Sequence, residues 1–209
     1  SVLSDHAPDL VRVLATVARA PRLPETELKR LQADLIRRLD YARSQPGTLA
    51  SSVFRGALYG DHAYSRLLAT PEQIGSFTTE AVRTSFAGRA NPTRAHLYVA
   101  GMFDRDPVLS AASEALGDWK GASAGRPAPP TATSARTIHL MDRPGAEQST
   151  LSIGLPVPDP THDDYVALSV TNSLLGGSFY SRITLNIRED KGYTYSPRSQ
   201  VVTHPRDAY

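Results

Sequence analysis

The chain has 209 residues, enough for one large domain or two small ones around a sizeable core. Hydrophobic residues make up 40% and charged residues 21%, and the net charge of +2 comes from Arg spread along the chain without a basic block, which argues against nucleic-acid or membrane-surface binding. Cysteine is absent, so disulfides and thiolate metal sites are excluded, and no apolar run approaches the roughly 20 residues that span a bilayer.

Leu10, Val11, Leu14, Val17 and Ala18 share a face and predict a helix over residues 8–20, ended by Pro21. A longer helix is expected over 24–43. Leu28, Leu31, Leu35, Leu39 and Ala42 form its apolar side, and Glu25 and Glu27 suit its positive end. Pro46 and Gly47 punctuate it. Residues 48–58 read as helix and 60–66 (GDHAYSR) as a loop. Thr70-Pro71-Glu72 has the form of an N-cap followed by proline at the first helical position, and a second helix starts at Thr78 or Thr79. Residues 96–101 (HLYVAG) predict a short buried strand, and 106–116 a helix.

Residues 121–133 are Ala, Pro, Gly, Ser and Thr with a single Arg, an extended linker with almost nothing to bury. Beyond it, 137–141 reads as a strand, and 148–155 as a half-buried strand with Leu151, Ile153 and Leu155 on one face. A helix over 162–175 stops at Gly176-Gly177, a second covers 178–188, and 193–203 is mainly strand. This mixture implies α+β layering over a sheet that is at least partly antiparallel. The start carries no Met and no signal-peptide pattern, and the end follows an apparent strand, as in an internal piece of a longer protein.

Few residues offer chemistry. Arg188 brings five fixed donors and a permanent charge, and Tyr195 a neutral hydroxyl; together they could hold a carbonyl and the oxyanion formed from it. Gly192 gives the chain room to turn between them. Read alone, Arg188 is more simply a cation at a helix C-terminus, and Tyr195 a half-buried strand residue. His162-Asp163-Asp164 fits a capped helix start better than a metal site, Asp5-His6 a surface turn, and His62 a loop imidazole bonded to backbone. Gly176-Gly177 is read as a helix stop rather than a phosphate loop, and Trp119 as a core or boundary aromatic.

Residues 174–196, LLGGSFYSRITLNIREDKGYTYS, resemble the M16 (insulinase, pitrilysin and mitochondrial processing peptidase-like) zinc peptidase family: a Leu-Gly-Gly stop, a Ser-Arg pair, an Arg-Glu-x-x-Gly stretch and a following Tyr. DLVRVLATVARAPRLPETELKR, LYGDHAYSRLLATPEQI, HLYVAGMFD and EQSTLSIGLPVP resemble further family segments in the family's order. The resemblance implies a LuxS/MPP-like metallohydrolase fold, with a mostly antiparallel sheet covered by helices. Residues 1–120 would be the second half of one M16 domain, 121–137 the linker, and 138–209 the first half of the next; the two halves could pack as one unit. It also implies that Arg188 and Tyr195 face the zinc across a cleft and contact the substrate carbonyl.

The same resemblance exposes two departures. The family's zinc-binding His-x-x-Glu-His does not occur, since His6, His62, His96, His139, His162 and His204 are never within five residues of one another. The third ligand, a Glu on the long acidic helix, falls at Arg38, or at Arg37 in a register one residue away, and a guanidinium cannot ligate zinc. The implied protein is a non-catalytic member, with no metal or cofactor of its own. It would bind extended peptide beside a zinc-bearing M16 subunit in a bacterial heterodimer, in the periplasm or the cytoplasm, with the periplasm favoured. The alternatives are a purely structural M16-fold subunit and a fragment of an active zinc metalloendopeptidase whose motif lies outside this sequence.

Overall fold

In the computed structural model, which describes residues 1–121, 125 and 128–209, the periodic segments become helices in the expected order. These are α1 (Ala7–Arg19), α2 (Leu28–Ser44), α3 (Pro46–Tyr59), α4 (Pro71–Gly75), α5 (Thr79–Arg89), α6 (Arg105–Leu116) and α7 (Tyr165–Asn172). π-helical turns follow at Ser173–Gly177 and Thr184–Asp190. The strands are β1 (Thr203–His204) and β2 (Asp207–Ala208). Two units are distinguishable: Ser1–Leu39 with Thr70–Arg126, and Asp40–Ala69 with Pro127–Tyr209. The expected linker, 121–137, lies partly outside the described residues.

In the first unit α1 packs on α6, with Val11, Val108 and Ala111 buried and Phe103 and Ala112 beside them. The face predicted for α1 is corrected here. Leu14 and Val17 are exposed, and the covered stripe runs through Ala7, Val11 and Ala15. Small residues on both helices, Ala15 and Ala111 among them, permit close approach, which hydrophobicity alone does not encode. Arg19 donates to the Ala115 carbonyl at 2.6 Å and to Asp118 at 2.7 Å. That guanidinium holds the Asp118 carboxyl below its usual range. The predicted starts are present. Thr70 and Gln73 form a reciprocal capping box on α4, and Thr78 accepts from the Ala81 N–H at the start of α5. Gln32 on α2 donates to the Ile74 carbonyl at 2.9 Å and that of Phe77 at 3.1 Å, serving carbonyls at and just beyond the end of α4.

In the second unit the end of α3 meets the β1–β2 hairpin through an aromatic cluster. The ring centroids of Tyr59 and Tyr64 are 5.7 Å apart, those of Tyr64 and His204 4.4 Å, and those of Phe54 and Tyr209 5.4 Å. The buried Tyr59 hydroxyl donates to Asp207, and burial, reinforced by that carboxylate, pushes its pKa well up. Residues 205 and 206 form the hairpin turn, with Arg206 at φ 62°.

Strand content departs from expectation. Among the described residues the only paired strands are β1 and β2, antiparallel, with one bridge from Val157 to Ala208. Residues 96–101, 137–141 and 148–155 form no ladder, and among the described residues the expected helix-covered, mostly antiparallel sheet is not seen. The sides expected to be buried face outward: Ile153 is 93% exposed, and Tyr98, Leu151 and Leu155 are also exposed. Alternation identifies which side chains share a face, but burial needs a hydrogen-bonded neighbour and a covering layer, and these segments have neither among the described residues.

Candidate functional site

Ser181 is fully buried, and its hydroxyl donates to Thr184 at 3.0 Å, opening the turn that carries Arg188. Thr184–Asp190 is π-helical, a widening that shifts side chains around the axis relative to an α-helix. Gly192, at φ 64°, ends it. Its N–H donates to the Arg188 carbonyl at 3.1 Å, and the Tyr193 N–H to that of Ile187 at 3.0 Å. The positive φ is the reason for glycine at this position.

Beyond the turn, Ser199 docks the chain back. Its N–H donates to the Gly176 carbonyl at 3.0 Å and its hydroxyl to the Asn172 side chain at 2.8 Å. The first expectation for Gly176-Gly177, a helix stop, holds in position but not in cause. Neither glycine has a positive φ. A Cβ on Gly176 would lie 2.5 Å from the Ser199 nitrogen, so close approach is what requires glycine there.

These constraints bring Arg188 and Tyr195 together. The guanidinium carbon lies 4.5 Å from the centroid of the Tyr195 ring and 4.7 Å from that of Phe179. Nε is 3.2 Å from a Glu189 carboxylate oxygen. The Arg188 side chain is 25% exposed, whereas Tyr195 is 78% exposed. A stacked cation and an accessible phenol are both hydrogen-bond donors of the kind suited to a carbonyl or carboxylate oxygen. Sequence reasoning passed over Phe179, which lies inside the quoted pattern; nothing in the order Gly-Ser-Phe-Tyr-Ser says which aromatic turns toward the arginine.

The remaining candidates are structural in their contacts. His62 Nδ1 accepts from the Tyr64 N–H at 3.2 Å and Nε2 lies 3.1 Å from the Ala128 carbonyl, so both ring nitrogens are engaged. His162 Nδ1 accepts from the Asp164 N–H at 3.1 Å. Asp159, rather than Asp163 or Asp164, takes the turn-forming bonds, from the Thr161 N–H and hydroxyl, and these hold its carboxyl below the ordinary range. His6 and Asp5 are on the surface, and Trp119 is half-buried. Arg38 is exposed on α2, while Arg37 pairs with Asp34. Among the described residues no three His, Asp or Glu side chains converge as metal ligands. No helix among them is long and apolar enough to cross a membrane.

Comparison with known proteins gives a consistent picture. Residues 76–207 match the family model described as "Peptidase M16 inactive domain". The chain is 28% identical over 198 residues to the uncharacterized zinc protease YmxG of Bacillus subtilis, covering 93% of this chain and 47% of that one. To an uncharacterized zinc protease of Streptomyces coelicolor it is 26% identical over 203 residues, covering 93% and 44%. Among solved structures, a peptidase M16 inactive domain from Pseudomonas fluorescens superposes with a TM-score of 0.71 at 20% identity, over 99% of this chain and 50% of that one. A protease from Helicobacter pylori gives 0.77 at 15%, over 98% and 51%. The chain thus spans about half the length of the relatives it matches.

Proposed function

We propose a function for this chain, which belongs to the peptidase M16 family as an inactive domain: it binds extended peptide and lends Arg188 and Tyr195 to cleavage at a zinc held by a partner M16 subunit. The observation that carries this reading is the placement of the Arg188 guanidinium 4.5 Å from the Tyr195 ring, with the phenol accessible. The described residues offer no converging ligands, so no step is assigned to a metal on this chain. The zinc of the partner would supply an activated water. Arg188 Nη and the Tyr195 hydroxyl would donate to the scissile carbonyl oxygen and hold the negative charge that develops there as water adds to the carbonyl carbon. The backbone of 148–155, which makes no backbone hydrogen bond among the described residues, is suited to pairing with an extended substrate. Arg38, at the position expected of a zinc-ligating Glu, supports the zinc-less assignment, and a periplasmic heterodimer is the setting we favour.

The test is peptide cleavage by the full-length protein, alone and mixed with an M16 subunit carrying an intact His-x-x-Glu-His. Cleavage only in the mixture is expected, with Arg188→Ala reducing kcat by about 10²–10³, the usual loss for one oxyanion donor. Full activity of the mixture with Arg188→Ala would leave a purely structural subunit. Stoichiometric zinc and activity in the protein alone would identify an active metalloendopeptidase instead.

A further inference from the structure

We infer that Phe179 is a positioning residue for Arg188: with Tyr195 it clamps the guanidinium and leaves one edge for a ligand oxygen. The inference rests on the function proposed above. A guanidinium is a flat group whose N–H donors all lie in its plane, while its two faces bond to nothing but can stack on aromatic rings. Both rings are within cation–π range, at 4.7 Å for Phe179 and 4.5 Å for Tyr195. A Glu189 carboxylate oxygen lies 3.2 Å from Nε as an ion pair. Among the described residues neither Nη donates a hydrogen bond.

Phe179 is tied to the turn it serves. The Ser181 N–H donates to the Ser178 carbonyl at 3.1 Å, and the Thr184 hydroxyl reaches the same carbonyl at 3.5 Å. The residue preceding Phe179 is thereby fixed to the start of the turn that bears Arg188. The Phe179 ring is itself more than half exposed, so its burial does not explain its place; Tyr180 packs edge-on against it at 5.3 Å. Removing the ring would take away one of the two aromatic faces on the guanidinium and loosen the Arg188 side chain against the Tyr195 ring.

The experiment uses the ¹⁵N-labelled full-length protein. In the wild type, the Arg188 Nε–H resonance, assigned by its loss in Arg188→Lys, should be displaced upfield by the two rings and should show contacts to the Phe179 ring protons. Phe179→Leu should remove most of that displacement with the backbone amide spectrum otherwise preserved, and Phe179→Trp should restore it. In the mixture with a zinc-bearing subunit, Phe179→Leu should lower kcat roughly threefold to tenfold, the worth of one such contact, with KM unchanged and kcat recovered in Phe179→Trp. Absence of the ring contacts in the wild type, an unmoved Arg188 resonance in Phe179→Leu, or wild-type kcat in that variant overturns the inference. The ring contacts together with no cleavage by any wild-type mixture would strike the proposed function and leave the clamp standing as a structural feature.

Discussion

His204 is half-buried, yet its Nε2 is sealed from solvent without a partner among the described residues. Tyr59, Tyr64 and Tyr209 face the ring, with Arg55 and Asp207 nearby. Burial first, and then the Arg55 charge, hold the imidazole below its ordinary pKa of 6.5, against the opposing pull of Asp207. The folded state therefore binds a proton less readily than the unfolded state. The resulting stability is fully present above the unfolded value near 6.5 and is lost as pH falls from there through the folded value. Urea midpoints measured from pH 8 to pH 5 should fall below pH 6.5, and His204→Phe should flatten that decline; an equal slope in both would contradict this account. Two residues on, Arg206 has a φ of 62° after Pro205, the geometry of a type II turn that favours glycine at that position. Arg206→Gly is expected to stabilise by about 0.5–1 kcal/mol, left-handed strain relieved minus the added freedom of glycine when unfolded, read as a higher thermal midpoint.

The Ser173–Gly177 turn and the segment after Tyr195 behave as a pair. Gly176→Ala would force a Cβ against the Ser199 backbone, with an expected cost of about 1–3 kcal/mol, as for other overpacked sites, and displacement of the strap that carries Tyr195. Chemical denaturation measures the cost, and loss of the Arg188–Tyr195 ring contact by NMR measures the displacement. Elements of this kind were unevenly legible. Helices α2, α3 and α4 could be read because a 3.6-residue period, Pro at the first turn and the Thr70 cap act within a few residues of chain. The π-helical turns could not, since Leu174, Leu175, Leu185 and Ile187 space themselves as they would in an α-helix. The strands were not legible: the alternation of Leu151, Ile153 and Leu155 suggests a buried face, but 148–155 forms no ladder and all three are exposed, because a pairing partner is a long-range fact that no local pattern holds. Arg188 and Tyr195 were singled out by a family pattern, whereas the ring of Phe179 beside Arg188 is visible only in the turn geometry.

Across the whole molecule, apolar side chains remain open on segments that lack strand partners. Ile138, Leu140, Leu151 and Ile153 are all strongly exposed, and a net charge of only +2 does little to keep copies apart. Ile153→Lys should slow aggregation in light-scattering assays while shifting stability by no more than about 0.5 kcal/mol, as expected for an exposed site. A large loss of stability would show instead that Ile153 is packed. Relatives about twice as long share the fold over the matched half, and each of the two units here keeps its own packed centre, Val11 with Val108 and Ala111 in one and Tyr59 with His204 and Tyr209 in the other. Phe179, Arg188 and Tyr195 all fall within residues 179–195, a stretch short enough that bringing its ends together costs little chain entropy. The trio is in effect a local cassette, assembled as soon as that one stretch of chain has folded.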